Sequence, residues 1–190
     1  MSDETKGKNE VTTSWRRLAS RKVLDNRWME VHIDKVALPD GRTYDYTVIR
    51  RNADGVAVML FDDENRVLLE REYRYPVNEI IWQLPGGLVD PGEALLPAIQ
   101  RELAEETGYV AEKWEYLGHF WDNPAFSAMK VHIFLARNAH QSAATHFDEA
   151  EFVVAEWRDW EWLKAAVRSG EIKERVLLSA LGMLMARGRC

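Results

Sequence analysis

The stretch from Gly87 to Tyr109, GLVDPGEALLPAIQRELAEETGY, decides how the rest of the chain is read. Leu95, Ala98, Ile99 and Leu103 recur three and four residues apart, the spacing of a helix with one buried stripe. Pro91 and Gly92 precede that helix, and Gly108 can end it as a C-cap. At about 100° per residue, Glu102 and Glu106 project on the side of Leu95 and Ile99, with Glu105 at its edge. The acids therefore take positions that apolar side chains would otherwise fill. As a plain solvated face the cluster is unfavourable twice over: like charges four residues apart repel, and acids in the last turns meet the negative end of the helix dipole. A divalent cation relieves both, because Mg²⁺ and Mn²⁺ take hard carboxylate oxygens and bridge to substrate phosphates.

Written as a spacing, Gly87 is followed after five residues by Glu93, and Glu93 after seven by Arg101, Glu102 and Leu103, then Glu105, Glu106 and, past Thr107, Gly108. This resembles the Nudix box, the signature of hydrolases that cleave a nucleoside diphosphate linked to another group. The final position of the box, usually aliphatic, is Tyr109 here. The resemblance implies that Glu102 and Glu106, joined by Glu105, ligate Mg²⁺ or Mn²⁺, that the Gly86 carbonyl completes the set, and that Glu105 and Glu106 belong to the catalytic group. It leaves Gly87, Glu93, Arg101 and Gly108 structural roles, with Arg101 and Glu93 read as an ion pair joining loop to helix.

The flanks narrow the branch. Glu72-Tyr73-Arg74-Tyr75-Pro76, then Trp82-Gln83-Leu84-Pro85-Gly86-Gly87, then Pro124 sixteen residues beyond Gly108, resemble the ADP-ribose pyrophosphatases. That branch usually has alanine where this chain has Gly86. The implied reaction is hydrolysis of ADP-ribose or a related nucleoside diphosphate sugar to a nucleoside monophosphate and a sugar phosphate. GDP-mannose, NADH and dinucleoside polyphosphates are alternative substrates, and a nucleotide sensor without hydrolysis is the alternative from another class. The branch places a base on a loop after the later strands, where this chain has His146 to Phe152; Glu151 and Glu149 are the candidates, Glu151 ahead because it adjoins the next strand. Arg74 is read as a phosphate clamp or a surface charge, since guanidinium forks match phosphate oxygens. Arg50 and Arg51 are further candidates of that kind. Trp28 is read as packing or as an adenine platform shared across a dimer.

The chain has 190 residues, 46% of them hydrophobic, and a net charge of -6 without a Lys/Arg block, which argues for a small-molecule substrate and against nucleic acid. No stretch reaches the length of a membrane span, and the start from Met1 to Asn9 lacks an apolar leader segment. With a single cysteine, Cys190, no intrachain disulfide can form, and a reducing cytoplasm is expected.

Strands are expected at Val31 to Val36 and Tyr44 to Ile49 as a hairpin, at Val56 to Phe61 and Val67 to Arg71 as a second hairpin, and at Trp114 to Trp121, Lys130 to Ala136 and Phe152 to Trp157. Helices are expected from Trp160 to Val167 and Lys173 to Ala186, besides the one carrying the acids. This reads as α+β. The resemblance sharpens it to a Nudix α/β/α sandwich with a mixed sheet at 51–190, preceded by a small N-terminal antiparallel β-sheet at 14–50 and a disordered tail at 1–13. A sheet that small shields little core, and the resemblance supplies the cover as the second subunit of a homodimer.

Overall fold

The computed structural model describes residues 14–51, 53–141 and 152–188; the expected tail at 1–13 lies outside them. The chain divides into two compact units, one running up to Arg51 and including Ala125–Ser127, the other made of the remainder.

The first unit is an antiparallel sheet of β1 (Arg16–Asp25), β2 (Glu30–Ala37) and β3 (Thr43–Arg50), with β2 in the middle. Its turns have local causes. Asn26 Oδ1 accepts from the amides of Trp28 and Met29, and Asp40 Oδ1 accepts from the Arg42 amide. The alternation along β2 buries His32, Asp34 and Val36, so two of the three inward positions are polar rather than apolar. They are tolerated because they are bonded: Ser20 Oγ donates to Asp34 at 2.5 Å, Arg50 donates to both Asp34 oxygens at 3.3 and 3.2 Å, and His32 Nε2 meets Glu30 at 2.8 Å. Trp15, Tyr44 and Tyr46 form an edge-to-face trio, with ring centroids 5.9 to 6.4 Å apart.

The second unit begins with β4 (Gly55–Leu60), buried at every position. Val56, Val58 and Leu60 point into one core and Ala57 and Met59 into another, so this strand is covered on both faces. It pairs in parallel with β8 (Lys130–Gln141), which pairs antiparallel with β7 (Tyr109–Trp121). A second sheet has β5 (Arg66–Arg74) between β6 (Glu79–Gln83) and β9 (Val154–Asp159). The expected hairpin of Val56 to Phe61 with Val67 to Arg71 is therefore corrected: the strands share one bridge, Phe61 with Val67, and otherwise belong to different sheets. The turn at Asp62 to Asn65 is real, with Asp62 Oδ1 accepting from the Arg66 amide, but it carries the chain from one sheet to the next.

Helix α1 (Leu95–Thr107) covers one face through Ala98, Ile99 and Leu103, while α2 (Trp160–Ser169) and α3 (Arg175–Ala186) cover the other through Trp160, Leu163, Leu177 and Leu184. The α+β class with helices on both sides of the strands stands. Boundaries moved for local reasons. Strand β7 starts directly after the helix because Gly108, at φ 72°, turns the chain at once, and α3 starts at Arg175 because the Glu174 side chain caps the Leu177 amide at 2.8 Å. Strands β1 and β6 were not anticipated.

Candidate active site

The acidic end of α1 is set by the period of the helix. Ile99, Leu103 and Glu106 occupy its buried side, so Glu106 is carried into the interior by the residues that anchor the helix. There the Gly86 amide donates to Glu106 Oε2 at 2.8 Å. The neighbouring Gly87 lies under Glu102: a β-carbon on Gly87 would stand 2.5 Å from the Glu102 carboxyl carbon and Oε1. Two carboxylates one helical turn apart thus rest on the Gly86-Gly87 peptide. The loop is fixed to β4, since the Val58 amide donates to Pro85 at 3.0 Å and the Val56 amide to Gly87 at 2.9 Å. The Gly86 carbonyl takes no part in that pairing. Gly86 has φ 153°, and a side chain there would collide with the backbone of Val56 and Ala57. This is the physical reason for glycine rather than alanine at that position.

Arg101 balances the acids from the other side. It grips Glu93 with two bonds, at 3.2 and 3.0 Å, and reaches Glu102 at 2.9 Å, Glu105 at 3.1 Å and the Leu88 carbonyl at 3.2 Å. The Arg101 guanidinium, first among the causes, holds the Glu93 carboxyl below its ordinary range. Glu93 also accepts from the Asp90 amide at 3.1 Å, so loop and helix are tied through one guanidinium. Glu105 is the most exposed of the three helix acids. Among the described residues, no three acidic, histidine or cysteine side chains converge as a metal cluster.

Behind Glu106 lies a second group of acids. Strand β5 puts Leu68, Glu70 and Glu72 on the α1 side by its period of two, and Glu70 is fully buried. Gln83, paired with Glu70 across β6, donates to Glu72 at 2.8 Å and to Glu70 at 3.4 Å. Its carbonyl oxygen accepts two bonds from Arg74, at 3.1 and 2.8 Å, which fixes the orientation of the amide. Arg74 also pairs with Glu72 at 2.8 Å. Burial pushes the Glu70 carboxyl up to about 8; the Glu72 charge adds to this, while Gln83, Glu106 and Arg74 oppose it.

Comparison with known proteins bears on this arrangement directly. The family model described as the NUDIX domain matches residues 51–178. The chain belongs to the Nudix family. A model described as the nucleoside diphosphate sugar hydrolase N-terminal domain matches residues 15–49. Over 137 residues, 72% of this chain, the protein is 31% identical to the methanol dehydrogenase activator of Bacillus methanolicus and 29% identical to the ADP-ribose pyrophosphatase of Bacillus subtilis, in each case covering 74% of the relative. Over 178 residues, 92% of this chain and 82% of the relative, it is 31% identical to the CMP-5'-(N-acetyl-N-hydroxy-3-aminopropyl)phosphonate hydrolase of Streptomyces rubellomurinus. Its fold matches the crystal structure of an ADP compounds hydrolase with a TM-score of 0.83 at 23% identity, covering 94% of this chain and 98% of that one.

In this Nudix hydrolase the box residues Gly87, Glu93, Arg101, Glu102, Glu105 and Glu106 lie together, with Gly108 as the C-cap of α1. Arg74 joins them through Gln83 and Glu70. Pro124 opens the turn after β7. Arg51 is exposed just after β3. Arg50 and Trp28 belong to the N-terminal unit, where Arg50 is committed to Asp34 and the exposed Trp28 ring lies under the Arg27 guanidinium at 4.4 Å. Glu149 and Glu151 lie outside the described residues. The sequence reading gives no site role to Glu70, or to Glu72 and Gln83 of the flanking runs. Their signal was available: in Val67-Leu68-Leu69-Glu70-Arg71-Glu72 the acids continue the strand face begun by Leu68.

Proposed function

We propose that the protein hydrolyses the diphosphate of ADP-ribose or a related nucleoside diphosphate sugar, giving AMP or another nucleoside monophosphate and a sugar phosphate. The observation that carries this reading is the seating of Glu102 and Glu106 on the Gly86-Gly87 peptide, which sets two carboxylates beside a rigid backbone turn. The relative named ADP-ribose pyrophosphatase and the N-terminal match to nucleoside diphosphate sugar hydrolases supply the substrate class.

The donor set is made of hard oxygens and fits Mg²⁺ or Mn²⁺. Glu102 and Glu106 would hold the cation, with Glu105 and the Gly86 carbonyl as the remaining ligands. When bound, the cation neutralises diphosphate oxygens and makes a bound water more acidic. The chain's own residues do the rest. Arg74, steered by Gln83 and Glu72, offers a guanidinium to a phosphate. Glu151, with Glu149 as the alternative, takes the proton of the attacking water. Water adds to one phosphorus, the bridging P–O bond breaks, and both fragments leave as phosphomonoesters. Arg101 and Glu93 keep loop and helix in register.

Exposed Trp15, Leu18, Leu24 and Tyr44 in the N-terminal sheet support a homodimer in which a second subunit covers them, with Trp28 offered to the adenine. The single cysteine suits a reducing cytoplasm, and among the described residues no helix is long and apolar enough to cross a membrane.

The test is purified protein with Mg²⁺ against ADP-ribose, GDP-mannose, NADH, a dinucleoside polyphosphate and a CMP-linked phosphonate, with products separated. Preferential release of AMP from ADP-ribose is expected. Binding without cleavage of any compound would overturn hydrolysis in favour of a nucleotide sensor.

A further inference from the structure

Position 70 lies on the strand face that Leu68 shares with Ile99 and Leu103, a place where an aliphatic side chain would pack. The residue there is Glu70, with no exposed surface, and its Oε1 has no hydrogen-bond partner among the described residues. Its other oxygen receives one long bond, 3.4 Å, from Gln83. Gln83 has nothing better to offer, because its short bond goes to Glu72 and its carbonyl is held by Arg74. What Glu70 does contact is another carboxylate, Glu106. Two carboxylates offer each other only acceptors, so their contact is repulsive unless a proton or a cation lies between them.

We infer that Glu70 is a further ligand of the divalent cation held by Glu102 and Glu106. The inference rests on the metal assignment of the proposed function. It accounts for three features together: the retention of a carboxylate at an aliphatic site, the partnerless Oε1, and the contact with the one box glutamate that the helix buries. Hard cations with several oxygen ligands are the partners that a buried set of carboxylates can satisfy without donors. Glu72, on the same face, is distinguished from Glu70 by its bonds: Arg74 and Gln83 already neutralise and satisfy it.

The inference is tested by Mn²⁺ binding, followed by electron paramagnetic resonance, on the full-length protein and its Glu70→Gln, Glu70→Asp and Glu106→Gln variants. Metal-free thermal unfolding is measured alongside. Glu70→Gln is expected to weaken Mn²⁺ binding by about tenfold or more, as Glu106→Gln does, while the metal-free protein unfolds at the same or a higher temperature because a buried charge has gone. Glu70→Asp, which withdraws the oxygens by one methylene while keeping the charge, is expected to weaken binding too, and decides the matter should the glutamine variant fail to fold. Unchanged Mn²⁺ affinity and stoichiometry in the Glu70 variants, with a loss in Glu106→Gln, would overturn the inference and leave the pair sharing a proton only. A full-length protein that binds no Mn²⁺ would instead remove the metal assignment itself, and this inference with it.

Discussion

The Gly86 amide donates to Glu106 Oε2 across twenty residues of sequence, at 2.8 Å, and so couples the turn before the box to the buried acid in the last turn of α1. The bond needs an acceptor, which glutamine also supplies through its carbonyl. Glu106→Gln should therefore fold normally yet lose a ligand charge, with turnover falling by at least about a hundredfold. Near-normal turnover in saturating Mg²⁺, with an unchanged circular dichroism spectrum, would refute the role given to Glu106.

The two adjacent glycines should fail differently. A β-carbon on Gly86 meets the backbone of β4, which cannot yield, so Gly86→Ala should cost about 1–3 kcal/mol of stability in urea unfolding. A β-carbon on Gly87 meets first the end of the Glu102 side chain, which can swing aside. Gly87→Ala should keep most of the stability and instead weaken Mn²⁺ binding by about tenfold or more, as displaced ligands do. Equal stability losses in the two variants would contradict this division.

The contrast also shows what the sequence could and could not reveal. Helix α1 was legible because Leu95, Ile99 and Leu103 repeat with the helical period and the acids share their side. The error at β4 and β5 came from a turn whose chemistry is local: Asp62 bonds the Arg66 amide whether the chain returns to its neighbour or crosses to another sheet. The pairing was decided by burial instead, since β4 is apolar on both faces and takes the place beside β8. Glu70 was hidden for a related reason. A period of two marks the face a residue shares, but only the packing of β5 against α1 shows that this face ends on Glu106.

The acidic loop supplies a kinetic prediction. A base acts in the transition state, so Glu151→Gln should lower kcat more than it raises KM. Damage from Glu149→Gln with a silent Glu151→Gln would reverse the order of the two, and silence in both would place the base elsewhere.

Asp54 gives a pH dependence whose sign can be stated. It accepts from the Lys130 amide at 3.0 Å and meets His132 Nε2 at 3.2 Å, while Tyr116 bonds the other ring nitrogen at 2.8 Å. Burial would raise its pKa, but the Lys130 amide and His132 outweigh burial and hold it below the ordinary value of 3.8. A carboxyl depressed by folding stabilises above its unfolded pKa and loses that stabilisation as pH falls through its folded value. Asp54→Asn should therefore be less stable than the parent protein near neutral pH, with the gap closing below 3.8. A gap independent of pH in urea unfolding would assign the loss to packing.

The last prediction concerns the N-terminal unit. Strand β1 is exposed along its whole length, and the buried side of β2 carries His32 and Asp34 beside a single apolar residue, Val36. Such a sheet has little to hold it together alone beyond its ladder and polar bonds. Several of its large apolar groups, among them Trp15, Leu18, Leu24 and Tyr44, are exposed. A partner subunit that covers them would make the sheet both the dimer contact and part of the substrate site. Deleting residues 1–50 should then give monomers that bind a hydrophobic dye and lose nucleotide affinity together, although every box residue remains. Light scattering of the intact protein reads the first part directly, and an intact monomer that still hydrolyses ADP-ribose would refute the shared site while leaving the chemistry of Glu102 and Glu106 in place.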